Sequence, residues 1–152
     1  MPDSAYLFDS SVWVALTFTV HPGHSAASEA FAKATEARPA TFCRSTEQSV
    51  LRLITTPAIM RQYGAPAMSN AQALTALHSF QSPATVRYRE EPAGLVPLWH
   101  SLADRLTASP KVWMDAYLAA FAVAGQLTMV TFDKDFKSYV TNGLTLQLLA
   151  AD

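Results

Sequence analysis

Asp9, Glu47, Asp115 and Asp133 each stand where a short apolar run gives way to a helical pattern. Asp9 closes Tyr6-Leu7-Phe8, Glu47 follows Thr41-Phe42-Cys43, Asp115 opens an Ala-rich stretch, and Asp133 follows the run from Leu127 to Phe132. Carboxylates at helix starts have an ordinary explanation, because free N–H groups and the helix dipole favour negative charge there. That explanation is weakest for Asp9 and Glu47, since Ser10, Ser11 and Ser45 are already at hand as caps. Two carboxylates brought to ~5 Å at an effective dielectric near 20 repel by roughly 3 kcal/mol. Four gathered without a counter-charge would raise one another's pKa. A divalent cation removes that penalty, and an all-oxygen ligand set points to Mg²⁺ or Mn²⁺ rather than zinc. The chemistry available to such a site is metal-assisted hydrolysis.

For these four residues to meet, the elements must bring them to one edge. Residues 5 to 8 read as a short buried strand, 40 to 43 and 127 to 131 as strands and 144 to 149 as a final apolar one, while 85 to 90 alternates as a half-exposed strand. Helices are predicted over 10 to 18, 25 to 37, 45 to 56 and 69 to about 82, then over 95 to 106 and 115 to 124, with one further turn over 135 to 139. Ser45 to Gln48 and Ser69 to Gln72 both fit a capping box. Leu95, Leu98, Trp99, Leu102 and Leu106 share a helical face, with Pro97 tolerated in the first turn. Gly125 reads as a left-handed helix end, and Asn142-Gly143 as a turn. Strands alternating with helices predict a three-layer α/β/α domain, residues 1 to 152, with a mostly parallel, roughly five-stranded sheet. In such a sheet the strand ends that lead into helices line one edge, where ligands bind.

Composition narrows the field. The 152 residues are 50% hydrophobic and only 15% charged, below the roughly 25% typical of soluble domains. The excess suggests apolar surface that meets another chain, with Trp13, Trp99 and Trp113 as candidates. A net charge of −1 gives no bulk attraction for nucleic acid, so any such contact relies on local cations or a bridging metal. Arg44, Arg52, Lys134 and Lys137 lie near the acidic positions and could guide phosphates. The single cysteine, Cys43, excludes an internal disulfide or a cysteine-rich zinc site. His21, His24, His78 and His100 lack paired ligand spacing, and His24 alone merits a check. No stretch is long enough to span a membrane, and Met1-Pro2-Asp3-Ser4 lacks a leader pattern, so a cytoplasmic location is expected. The absence of G-x-S-x-G, P-loop and G-x-G-x-x-G motifs excludes the corresponding hydrolases, triphosphatases and dinucleotide binders.

The segments Leu7-Phe8-Asp9-Ser10-Ser11-Val12-Trp13, Thr46-Glu47 with Leu51-Arg52-Leu53-Ile54-Thr55-Thr56-Pro57, Asp115-Ala116-Tyr117-Leu118-Ala119-Ala120 and Thr131-Phe132-Asp133-Lys134-Asp135-Phe136 resemble PIN-domain ribonucleases, specifically VapC-type toxins of bacterial toxin–antitoxin pairs. The resemblance covers nearly the whole chain. It implies an α/β/α domain that cuts single-stranded regions of structured RNA with Mg²⁺ or Mn²⁺. It also implies that Asp9, Asp115 and Asp133 form the metal cup, completed by Glu47. Ser11 stands where the family often has Asn, Thr or Ser, a position from which it would orient Asp9 or a water. Asp135 is a further outer candidate, though an ordinary solvated acid explains it as well. A VapB-type antitoxin and a toxin homodimer are the implied partners. The alternative is an inactive PIN-like module that binds RNA or protein without cutting. A haloacid-dehalogenase-type enzyme would need a second acid at position 11, where Ser11 stands, and a phospho-receiver would need paired acids where the chain has Asp9-Ser10.

Overall fold

The computed structural model describes residues 4–152; Met1-Pro2-Asp3, and with them most of the leader reading, lie outside the described residues. Five short strands, β1 (Tyr6–Phe8), β2 (Ala40–Phe42), β3 (Val86–Tyr88), β4 (Thr128–Thr131) and β5 (Thr145–Leu148), form one sheet in the order β3-β2-β1-β4-β5. Every pairing is parallel. Purely parallel strands are covered on both faces, which is why β1, β2 and β4 are buried at every residue.

Alternate side chains feed two cores. Tyr6, Phe8, Ala40, Phe42 and Val130 pack with helices α1 (Ser10–Thr17), α2 (His24–Ala32), α3 (Arg44–Ile54) and α5 (Asn70–Gln81). Leu7 and Met129 face the other way, onto α6 (Leu95–Ala103) and α7 (Pro110–Ala124). The first core centres on Trp13, fully buried and stacked on Phe42 with ring centroids 4.0 Å apart. The expected α/β/α layering with a parallel five-stranded sheet is therefore what the chain forms.

Several local expectations need correction. The capping box at Ser45 and Gln48 does not form, because the chain leaves β2 directly into α3 and the helix begins at Arg44. Thr46 supplies the cap instead, its Oγ1 accepting from the Cys43 N–H at 3.0 Å, while the box at Ser69 and Gln72 does form. A short helix, α4 (Pro57–Arg61), starts where the sequence suggested an end, with Pro57 in its first turn. The second helix stops at Ala32 rather than Ala37, where Thr35 and Arg38 close a turn on each other. The sixth ends at Ala103, leaving Leu106 fully exposed rather than on the apolar face. Gly125 is not left-handed (φ −85°); Gln126, at φ 56°, takes that conformation. A Cβ at 125 would come within 2.9 Å of the Phe121 carbonyl oxygen, which accounts for the glycine.

The sheet order places a topological switch between β1 and β4. The chain runs outward from β1 through β2 to β3, then returns to lay β4 and β5 on the other side. Helices leaving β1 and the segment leaving β4 diverge at that point and open a crevice at the strands' carboxyl ends.

Candidate metal centre

Asp9 and Asp133 flank this crevice, one residue past β1 and two past β4. Asp9 is 9% exposed and is held by neutral donors. Its Oδ1 accepts from the Ser10 amide at 2.7 Å, and its Oδ2 accepts from the Thr131 hydroxyl at 2.7 Å. Ser11 Oγ stands 3.5 Å from Oδ2, at the outer limit of a hydrogen bond. Thr131 is the last residue of β4, so its hydroxyl ties the two strand ends across the switch point, and its oxygen also accepts from the Asp133 N–H at 3.0 Å. Burial pushes the Asp9 carboxyl above its ordinary pKa, the Thr131 and Ser10 bonds pull back, and the nearby Asp133 charge adds to the rise.

Asp115 does not open its helix. α7 begins at Pro110, with Ser109 before it, which puts Asp115 in the second turn. The capping explanation therefore falls away for this residue. Its carboxyl is raised by burial and by the charges of Asp133 and Asp9, against the pull of Lys111. Asp9 is linked to this neighbourhood through Thr131, whose hydroxyl donates to Asp9 and accepts from the Asp133 N–H.

Asp115, Asp133 and Asp135 each bring a carboxylate oxygen within 4.8 Å of the others. Lys111, one turn before Asp115 on α7, lies among them. Its Nζ stands 3.1 Å from Asp115, 2.7 Å from Asp133 and 2.6 Å from Asp135. This raises the Lys111 pKa. Burial works to raise the Asp133 carboxyl, but Lys111 and the Asp135 amide outweigh it and hold it below the ordinary range. Asp133 also caps the 3₁₀ segment Lys134–Asn142 through the Asp135 N–H at 2.9 Å. Lys111 was not foreseen; the signal for it was the i,i+4 Lys-Asp pair on one helix face.

Glu47 is held apart from the aspartates. It lies on the first turn of α3, largely buried, and its two oxygens are occupied by Arg44 Nη1 and Gln81 Nε2. Lys134 and Lys137 line a cleft of about 440 Å³ with Arg105, Lys111, Asp115 and Asp135. Arg52 instead lines a groove between α3 and α5 with Leu51 and Leu74. His24 binds the Ala15 carbonyl through Nδ1 at 2.9 Å, a structural role, and His21 accepts from the Gly23 amide at 2.8 Å. Asp115, Asp133 and Asp135 present three clustered carboxylate oxygens, a donor chemistry that fits Mg²⁺ or Mn²⁺.

The PIN domain family matches residues 6–141. Ribonuclease VapC41 of Mycobacterium tuberculosis, in strains CDC 1551 and H37Rv alike, is 39% identical over 145 residues, covering 95% of this chain and 98% of the relative. Among solved structures, VapBC2 from Rickettsia felis, bound to a DNA fragment from its promoter, superposes with a TM-score of 0.65 at 15% identity, covering 96% of this chain and 99% of that one. VapC20 of M. tuberculosis, a sarcin-ricin loop cleaving toxin, gives 0.62 at 17% identity, over 88% and 94% of the two chains. At those identities the structural likenesses speak for the fold.

Proposed function

This chain belongs to the PIN-domain family, and from that premise we infer that it is a divalent-metal-dependent endoribonuclease, the toxin of a VapBC-type pair. The observation that carries the reading is the cluster of Asp115, Asp133 and Asp135 carboxylates at the end of β4, with Asp9 tied to Asp133 through the Thr131 hydroxyl. The 39% identity to a VapC ribonuclease along nearly the full length supports the same activity.

Asp9, Asp115 and Asp133 would hold Mg²⁺ or Mn²⁺. Glu47 would join as a fourth carboxylate by exchanging Arg44 or Gln81 for the site. When bound, such a cation acidifies water and offsets the charge that builds on a phosphate. The chain's own residues do the rest. Thr131 and Ser10 fix the Asp9 oxygens, so that carboxylate meets its ligand without reorganising. Glu47 or Asp115 would take the proton from the attacking water. Arg105, Lys134 and Lys137 offer charge to the flanking RNA phosphates along the cleft. Hydrolysis would leave 5′-phosphate and 3′-hydroxyl ends.

A VapB-type antitoxin and a second copy of the chain are the proposed partners. Trp113 and Met114, both 57% exposed beside the site on α7, are apolar surface of the kind that partners cover. No helix among the described residues is long and apolar enough to cross a membrane, and we place the activity in the cytoplasm. The test is RNA cleavage with added Mg²⁺ or Mn²⁺ and with chelator. Fragments that appear only with metal support the reading; RNA retained without fragments under both conditions would make the chain a binding module.

A further inference from the structure

We propose that Lys111 is an internal placeholder for the metal, a positioning residue whose ammonium assembles the outer carboxylates and then cedes its place to the incoming cation. The proposal rests on the metal-cup reading above. An ammonium has three protons, and that of Lys111 has three carboxylate partners, Asp115, Asp133 and Asp135, at 2.6 to 3.1 Å. The same three residues are the ones whose oxygens lie close enough together to share an ion.

Charge explains both the holding and the release. Three carboxylates against one ammonium leave the cluster two charges short of neutrality, so the lysine gathers the aspartates without saturating them. A divalent ion held by Asp115 and Asp133 together with Asp9 supplies twice the charge, and the lysine side chain, with 59% of its surface exposed, has room to leave. Its released ammonium stays in the cleft that it lines with Arg105, Lys134 and Lys137. Seating the metal thereby frees the fourth cation of that cleft, until then paired with aspartates, for RNA phosphates. Asp9, on the buried side, takes no part in this exchange, because hydroxyl and amide donors hold it whether or not an ion is present.

The test is an electron paramagnetic resonance titration of Mn²⁺ into metal-free wild type, Lys111→Met and Lys111→Gln, with thermal melts of each alone and saturated. The expected result is at least tenfold tighter Mn²⁺ binding in both variants, and a larger rise in Tm on adding Mn²⁺ than wild type shows. The placeholder role is overturned if either folded variant binds Mn²⁺ equally or more weakly. Were no protein of the set to bind Mn²⁺, the cup itself would fail, and Lys111 would be a simple counter-ion. Circular dichroism establishes folding, and the Gln variant keeps a polar group there should Met disturb the first turns of α7.

Discussion

Asp9 and Asp133 follow adjacent parallel strands and face one crevice, yet their carboxylates are held by opposite means. Asp9 is buried among hydroxyl and amide donors, makes no ion pair among the described residues, and has its pKa raised. Asp133 shares an ammonium with Asp115 and Asp135 nearer the surface, and its pKa is lowered. On the proposed metal-cup reading, neutral donors fix the geometry of Asp9 without spending its charge, which would leave the inner half of the site open to a cation. The outer half is already neutralised in part and, in the proposal, would exchange its partner. Geometry would then be set on the buried side and occupancy controlled on the exposed side.

The largest effect should come from the inner half. Asp9→Asn keeps the shape and removes the charge, and RNA cleavage should fall by more than about a hundredfold, since even residues that only orient metal ligands are worth 10–100-fold. Melting of the metal-free variant should be unchanged or raised, because a buried charge without a cationic partner has been removed. Thr131→Val comes next. It leaves Asp9 Oδ2 and the Asp133 amide without their shared hydroxyl, and activity should drop by about 10–100-fold. Stability should fall by about 1–3 kcal/mol in a denaturant melt. Glu47→Gln, read by Mn²⁺ titration, should weaken binding by about tenfold if this acid is the fourth ligand; unchanged binding would reduce it to an anchor for Arg44. Asp135→Asn, on a side chain 67% exposed, should cost less than about threefold in cleavage, the scale of a surface ion pair.

The same contrast has a pH signature in the metal-free protein. With Asp9 and Asp115 raised above 3.8, the unfolded chain releases those protons first. Stability should therefore fall as pH rises from that value through the raised ones. Asp133 works in the other sense: its contribution is present above its ordinary value and is lost as pH falls through its lowered one. Urea melts across the acidic range should show a shallower decline in Asp9→Asn than in wild type.

Much of this frame could be read from the chain because it depends on local pattern. Short apolar runs gave the strands, Ser69 and Gln72 sat at the right spacing for their box, and junction acids marked one sheet edge. What sequence pattern misplaced was phase within a helix. Pro110 moves the start of α7 five residues upstream, which turns Asp115 from a candidate cap into an inward-facing acid. Thr46, not Ser45, meets the Cys43 amide because α3 follows β2 without a linker. Long-range partners were out of reach altogether. Gln81 reaches Glu47 from the far end of α5, 34 residues away, and Lys111 joins Asp133 and Asp135 only once α7 lies beside the end of β4.

The most direct test of the central claim is a crystal of the protein soaked in Mn²⁺ and measured at the manganese absorption edge. The expected result is an anomalous peak between β1 and β4, with oxygens of Asp9, Asp115 and Asp133 at about 2.1–2.3 Å, the range of hard divalent cations. No peak at saturating Mn²⁺, or one seated on Asp133 and Asp135 and out of reach of Asp9, would contradict it.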